Sequence, residues 1–298
     1  MKKRSCGILA GSSSFAAGIR DFVRIFSRLN GPLLLMGESG GGKERVARFV
    51  HERAALESRP FEVIDCSLFF ADELESGLFA AGALNRPGGG TCYLANCEEL
   101  PPGSQKRLAE HLEAPAAPGR QRQGRGVRVM LSSTRQLDSL TAAGLFSRHL
   151  YDLISGATLS LPPLRQRTRD LGRLIDHQVG KVETLKGVVV FSPEAYGALV
   201  TYPWPGNYQQ LEDELGKLLR SAGGKIQIED LPPPIANFWL GGAERPEVRR
   251  AHEQLAENLE EFNALTRLDA EFGNLLPVVG EGGDGSVKPG LGPADSVR

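Results

Sequence analysis

Cysteine is scarce in this sequence. Four occur in 298 residues, at Cys6, Cys66, Cys92 and Cys97, and none stands at a metal-ligand spacing. A small disulfide-stapled scaffold is thereby excluded, and Cys92 and Cys97, in or beside an apolar run, read as small hydrophobes in a reducing compartment. Charge of one sign is lacking too. The count is 35 Lys+Arg against 36 Asp+Glu, a net −1, so nothing pulls the whole chain toward nucleic acid or an anionic membrane. Apolar runs are all shorter than the roughly 18 residues of a membrane span. The Met1-Lys2-Lys3-Arg4 start leads into a Gly/Ser-rich stretch and not a signal-peptide core, so no membrane partner and a cytoplasmic location are expected. No internal repeat is visible.

What is present is a globular composition, 41% hydrophobic with 36 Gly and 19 Pro, enough for one large domain or two ordinary ones. Short apolar runs at Leu33–Met36, Phe61–Ile64, Thr91–Leu94 and Val127–Leu131 alternate with helical spacing over Gly42–Arg53 and Gly103–Leu112. Strands separated by helices require crossover connections, so the fold class is α/β with a parallel sheet over residues 1–160. After Leu161-Pro162-Pro163-Leu164 the pattern becomes helices without strands: Arg169–Val182, Pro193–Thr201 and Asn207–Ala222, a small helical subdomain over 161–234. Residues 235–298 hold six basic and eleven acidic side chains, net −5. Helical spacing near Pro246–Phe272 there gives way to a Gly/Pro/Asp-rich end from Gly280 that reads as disordered. Such a tail is a poor DNA-binding element.

One segment carries chemistry. Gly37-Glu38-Ser39-Gly40-Gly41-Gly42-Lys43 fits G-x-x-x-x-G-K, follows an apolar run and opens a helical pattern. Glycines let successive N–H groups turn toward an anion, the helix N-terminus adds positive field, and the lysine reaches the β/γ-phosphates. The strict pattern wants Ser or Thr next, to touch Mg²⁺, and Glu44 stands there. A Gly-rich turn that holds nothing fits the spacing as well.

The residues from Gly37 to His51 resemble the Walker A region of the AAA+ domain of bacterial enhancer-binding proteins, the activators of sigma-54 RNA polymerase, in which Glu follows the lysine. The resemblance continues in family order through Pro60–Cys66, Leu74–Phe79, Gly89–Thr91, Val127–Leu137, Leu161–Arg167, Tyr202–Asn207 and Glu229–Pro232, about three quarters of the chain. It implies an AAA+ P-loop NTPase domain followed by a helical lid, with ATP or ADP bound by Gly37, Glu38, Ser39, Gly40, Gly41, Gly42, Lys43 and Glu44.

The departures fall on the positions that the family uses for catalysis. Ala95 stands where the family has the Mg²⁺-holding Asp, and Asn96 where it has the water-polarising Glu. Ala cannot ligate a metal and a neutral amide cannot take a proton. Asp65 occupies the place of the Asn that couples that Glu to nucleotide state. Ser147 and Leu153 occupy the two trans-acting arginine positions. Arg148 is one residue off, a turn of about 100° on a helix. Gln209 replaces the lid arginine, and Thr134 matches the first sensor position loosely. Glu98 and Glu99 are nearby but weak substitutes. Only nine residues, 80 to 88, lie between Phe79 and Gly89, where the family has a longer loop with the sigma-54 contact motif.

The expectation is therefore a pseudo-ATPase. It would bind ATP or ADP with Mg²⁺ weak or absent, and act as a regulatory module on a protein partner, an active AAA+ relative among the candidates. Direct sigma-54 contact is not expected, and neither a sensory domain nor a helix-turn-helix is recognised. Two alternatives stay open: a slow ATPase using Glu98 or Glu99 with Arg148, and a nucleotide-free scaffold. Arg120, Arg122, Arg125 and Arg128 read as a solvated basic loop, His51 as packing or capping, and Trp204 as a core anchor.

Overall fold

Leu33-Leu34-Leu35-Met36 is apolar on both faces, the pattern of a strand covered on both sides. It forms β1 (Leu33–Met36) inside a five-stranded sheet. The structure is a computed structural model that describes residues 11–242 apart from 12, 57, 80–81, 115–125, 187–188 and 222–223. The chain divides into Met1–His252 and Glu253–Arg298, and every described residue lies in the first unit. The helix expected near Pro246–Phe272, the end from Gly280, Cys6, and Arg120, Arg122 and Arg125 lie outside the described residues.

The other strands are β2 (Phe61–Asp65), β3 (Gly90–Ala95), β4 (Val127–Ser133) and β5 (Thr158–Ser160). The order is β2-β3-β4-β1-β5 and every neighbouring pair is parallel, with Leu34 opposite Leu131 and Ile64 opposite Leu94. Between and around them run α1 (Ser14–Phe26), α2 (Lys43–His51), α3 (Ala71–Phe79), α4 (Pro102–Glu113), α5 (Leu137–Ala142) and α6 (Arg148–Ile154). A five-residue π turn, Glu52–Leu56, extends α2.

Alternation across the strands builds two cores. Leu33, Leu35, Tyr93 and Met130 face one cluster, while Leu34, Cys92, Leu94, Val129 and Leu131 face the other. The first cluster continues without a break into the helices α7 (Thr168–Lys186), α8 (Pro193–Thr201), α9 (Asn207–Ser221) and α10 (Pro233–Leu240) through Leu171, Leu199, Trp204, Leu211, Leu215 and Trp239. Trp204 is fully buried and donates its indole N–H to the Leu199 carbonyl at 2.9 Å.

The helical subdomain corrects the expectation of helices without strands: β6 (Val190–Phe191) and β7 (Lys225–Ile226) pair in parallel. Two residues each are too few to leave a periodicity. Helix α10 crosses residue 234, and its Ile235 and Trp239 are buried, with the Trp239 ring against Gly197 of α8. Among the described residues no helix is long and apolar enough to cross a membrane.

Candidate functional site

The loop from Gly37 to Gly42 connects the carboxyl end of β1, the second strand from one edge of the sheet, to the N-terminus of α2. Two glycines are required there by geometry. Gly37 has φ +148° and a Cβ on it would sit 2.5 Å from the Leu161 carbonyl oxygen; Gly40 has φ +69° and a Cβ would meet the Gly206 carbonyl oxygen at 2.2 Å. Lys43 is buried, 8% exposed, at the first position of α2. Its ammonium donates to the Gly37 and Glu38 carbonyls at 2.6 and 2.9 Å. Burial lowers its pKa, while Glu98 and Glu38 work in the opposite direction. A buried cation bound only to loop carbonyls is poised to exchange them for phosphate oxygens.

The lid holds the loop in shape. Arg165 donates both guanidinium arms to the Glu38 carboxylate, and Asn207 adds a third bond at 3.1 Å. The hydrogen bond from Arg165 first, then that from Asn207, holds the Glu38 carboxyl down at about 2. Asn207 also donates to the Ser39 carbonyl at 2.9 Å and accepts from the Leu164 N–H at 3.0 Å, and the Gln209 N–H donates to the Gly40 carbonyl at 3.0 Å. Arg45 of α2 pairs with Glu212 of α9. Arg165 and Asn207 were present in recognised segments of the sequence, but no spacing rule ties residue 165 or 207 to residue 38.

These elements enclose a cleft of about 500 Å³ that brings Ser39 to Arg45 together with Ala95, Asn96, Thr134 and Gln209. Among the described residues its one lining carboxylate is Glu44, which is ion-paired with Arg48 at 2.7 Å. The strand end where an acid pair would act presents a methyl group and an amide. Asn96 adopts the left-handed conformation, φ 53°, which Asn tolerates better than most residues, and donates its Nδ2 to Asp65 Oδ1 at 2.8 Å. That oxygen also accepts from the Ser67 N–H and hydroxyl at 3.0 and 2.7 Å. Burial works to raise the Asp65 carboxyl, but the Ser67 and Asn96 hydrogen bonds outweigh it and hold it below the usual range.

The remaining sequence candidates have local tasks. Ser147 caps α6 by accepting from the Leu150 N–H at 3.3 Å, and Leu153 is half-buried against the second core. Exposed Arg148 pairs with Asp152 on its own helix at 3.0 Å. The Gln209 amide donates to both Asp213 oxygens at 3.0 Å. His51 is buried, with Nδ1 2.8 Å from the Thr91 hydroxyl and its ring edge on Phe61. Cys66, Cys92 and Cys97 are free and buried; burial pushes the first two thiols up to about 12 and the third well above the ordinary value, which leaves them inert.

The donor set fits a nucleotide's phosphates. The cradle, the helix N-terminus and Lys43 are in place for them. At the end of β3, Ala95 offers no side-chain donor to a metal.

Comparison with known proteins agrees with this geometry. Residues 10–164 match the sigma-54 interaction domain and residues 165–240 the AAA+ ATPase lid domain. Relatives include the nitrogen assimilation regulatory protein NtrX of Azorhizobium caulinodans, 30% identical over 89% of this chain and 65% of that protein. Another is the transcriptional regulatory protein XylR of Pseudomonas putida, 31% identical over 70% of this chain and 40% of that one. The chain thus spans about two thirds or less of the length of such relatives. Crystal structures of NtrX from Brucella abortus, one in complex with ADP and one with ATP, superpose with TM-scores of 0.65 and 0.64 at 23% and 24% identity. They cover 83% and 89% of this chain and 61% and 66% of the other, and they establish the shared fold. The loop after β1, the lid clamped onto it and the family match over more than half the chain lead to one conclusion: this chain belongs to the sigma-54 interaction domain family of AAA+ proteins.

Proposed function

We propose that the chain is a nucleotide-binding, hydrolysis-deficient member of its family that acts as a regulatory module on a protein partner. The observation that carries this reading is the end of β3, where Ala95 and Asn96 line the phosphate cleft. Hydrolysis at such a site rests on positioning and electrostatic stabilisation, and removing one charge-stabilising group costs about 10²–10³ in rate. Here the metal ligand, the proton acceptor, two arginine positions and the lid arginine are all replaced.

Several further features support the reading. Asp65, at the switch position that the resemblance implies, spends one oxygen on three hydrogen bonds, two from Ser67 and one from Asn96. Arg148 is engaged by Asp152 on the same helix. That the relative NtrX crystallises with ADP and with ATP supports nucleotide binding by this similar cradle. Ala83 and Leu84, in the shortened segment before β3, are buried in the second core. Their burial, with only nine residues between Phe79 and Gly89, supports a partner surface other than sigma-54, an active AAA+ relative being the leading candidate.

The test is paired. Fluorescent nucleotide titration of the full chain is expected to show saturable binding that Lys43→Ala removes, while phosphate release stays at the level of Lys43→Ala. Ordinary turnover that depends on Lys43 would overturn hydrolysis deficiency. No binding at millimolar nucleotide would overturn nucleotide as a ligand. Sedimentation of the chain with and without an active family member is expected to show a mixed complex, and two independent boundaries would remove that partner.

A further inference from the structure

Glu98 is a buried carboxylate with half of its hydrogen bonding unmet. It lies in the short 3₁₀ turn Cys97–Glu99 that leaves β3, is 8% exposed, and reaches across to the end of β4. Its Oε1 accepts from the Thr134 N–H at 2.8 Å and from the Thr134 hydroxyl at 2.6 Å. Its Oε2 is buried and, among the described residues, has no hydrogen-bond partner. A carboxylate oxygen left so is costly and calls for a reason. Thr134, which fixes the carboxylate, lines the phosphate cleft, and so does Lys43, whose ammonium feels the Glu98 charge.

We infer that Glu98 is a charge filter that makes the cleft select a nucleoside diphosphate over a triphosphate. The loop N–H groups cradle the first two phosphates and Lys43 reaches toward the second and third. Beyond Lys43, whose charge Glu98 partly offsets, the lining groups Ala95, Asn96 and Thr134 bring no positive charge to the third. The two arginines that also line the cleft are each ion-paired, Arg45 with Glu212 and Arg48 with Glu44. An acid pair with its metal would ordinarily turn negative charge at this strand end into attraction. Here the charge of Glu98 remains while the ligands that would hold the metal are replaced, and like charges at a partly buried protein site repel more strongly than in bulk solvent. The added negative charge of a triphosphate therefore meets more of the field of Glu98, which lies behind Thr134 and draws on Lys43, and a diphosphate meets less of it.

This rests on the nucleotide-binding reading above. The experiment is calorimetric titration of the full chain with ADP and with ATP, each in EDTA and in magnesium, for the wild type, Glu98→Gln and Glu98→Ala, with thermal melts as the check on folding. The wild type is expected to bind ADP at least ~10-fold tighter than ATP, equivalent to ~1.4 kcal/mol. Both variants are expected to close most of that gap by tightening ATP, with ADP nearly unmoved. Equal affinities in the wild type, which need no variant to read, would overturn the inference, and so would a ratio that neither variant moves. Magnesium that tightens ATP in the wild type but not in Glu98→Gln would also overturn it, by making Glu98 a cation ligand. Failure to bind either nucleotide would sink both this inference and the reading it rests on. Rapid ATP hydrolysis together with an ADP preference would sink only the proposed hydrolysis deficiency.

Discussion

The Asn96 amide donates to Asp65 Oδ1 at 2.8 Å, the reverse of the carboxylate and amide that the resemblance implies at these two positions. The hydrogen bond survives such an exchange because one partner is still a donor and the other an acceptor. Restoring one side alone sets two carboxylates face to face. Asn96→Glu is expected to destabilise the fold by ~1 kcal/mol, in the range of measured couplings between contacting residues, and adding Asp65→Asn is expected to recover it. Urea midpoints of the four proteins measure the coupling; an Asn96→Glu variant as stable as wild type would contradict it.

Replacing Ala95 by Asp and Asn96 by Glu together is expected to leave phosphate release at background, because Ser147, Leu153 and Gln209 still lack the charges that stabilise transferring phosphoryl. Brisk turnover in this double variant would show that the strand end alone controls the chemistry.

Lys43→Ala is expected to weaken nucleotide binding by at least ~10-fold, the worth of a charge-assisted hydrogen bond to phosphate. Unchanged affinity by fluorescence titration would place the ligand elsewhere.

Gly40→Ala puts a methyl group against the Gly206 carbonyl, in a backbone region that L side chains rarely adopt. The lid must shift off the loop. A loss of ~2 kcal/mol, the scale of one strained backbone residue, is expected in chemical denaturation, together with weaker nucleotide binding. An unchanged denaturation curve would mean that the lid does not press on the loop.

Asp170 is fully buried and joins the start of α1 to α7: it accepts from the Ser13 N–H at 2.9 Å and the Ser13 hydroxyl at 2.6 Å, and pairs with Arg167. Burial works to raise its carboxyl, but the Ser13 bonds and Arg167 hold it below the usual range. A depressed folded-state pKa contributes stability that is complete above the unfolded value, near ~3.9, and is lost as pH falls through the folded value. Asp170→Asn is therefore expected to cost ~3 kcal/mol at neutral pH by breaking a buried pair. The gap to wild type should hold constant from pH 7 to 5 and close below about pH 4. Melting temperatures across that range measure it, and a gap that persists unchanged at the acid end would contradict it.

Much of the fold was legible because the sheet's strands advertise themselves. Leu33–Met36 is apolar on both faces, and Val127–Leu131 is apolar except at Arg128, which is buried in β4 and donates to the Phe26 carbonyl at 2.7 Å instead of joining a solvated loop. The turn residues of Gly37–Gly42 and Trp204-Pro205-Gly206 punctuate the helices that follow. Strand β5 was not legible, since Thr158-Leu159-Ser160 becomes a strand only by pairing with β1. The same holds for β6 and β7, whose two-residue pairing needs the surrounding helices to bring them together.

The replaced residues of the site were readable one by one, because Ala95 has no donor and Asn96 no negative charge in any conformation. Their sequence by itself determined what this chain cannot ligate and where an anion can be cradled. Only the tertiary structure decided which groups meet: that Arg165 and Asn207 grip Glu38, that Asp65 is bound to Asn96, and that Glu98 turns inward to Thr134 beside Lys43. The reason is physical. Side-chain chemistry is a property of each residue, whereas the field at a phosphate site is a sum over charges brought together from distant parts of the chain, and that sum exists only after the cores on either side of the sheet have closed.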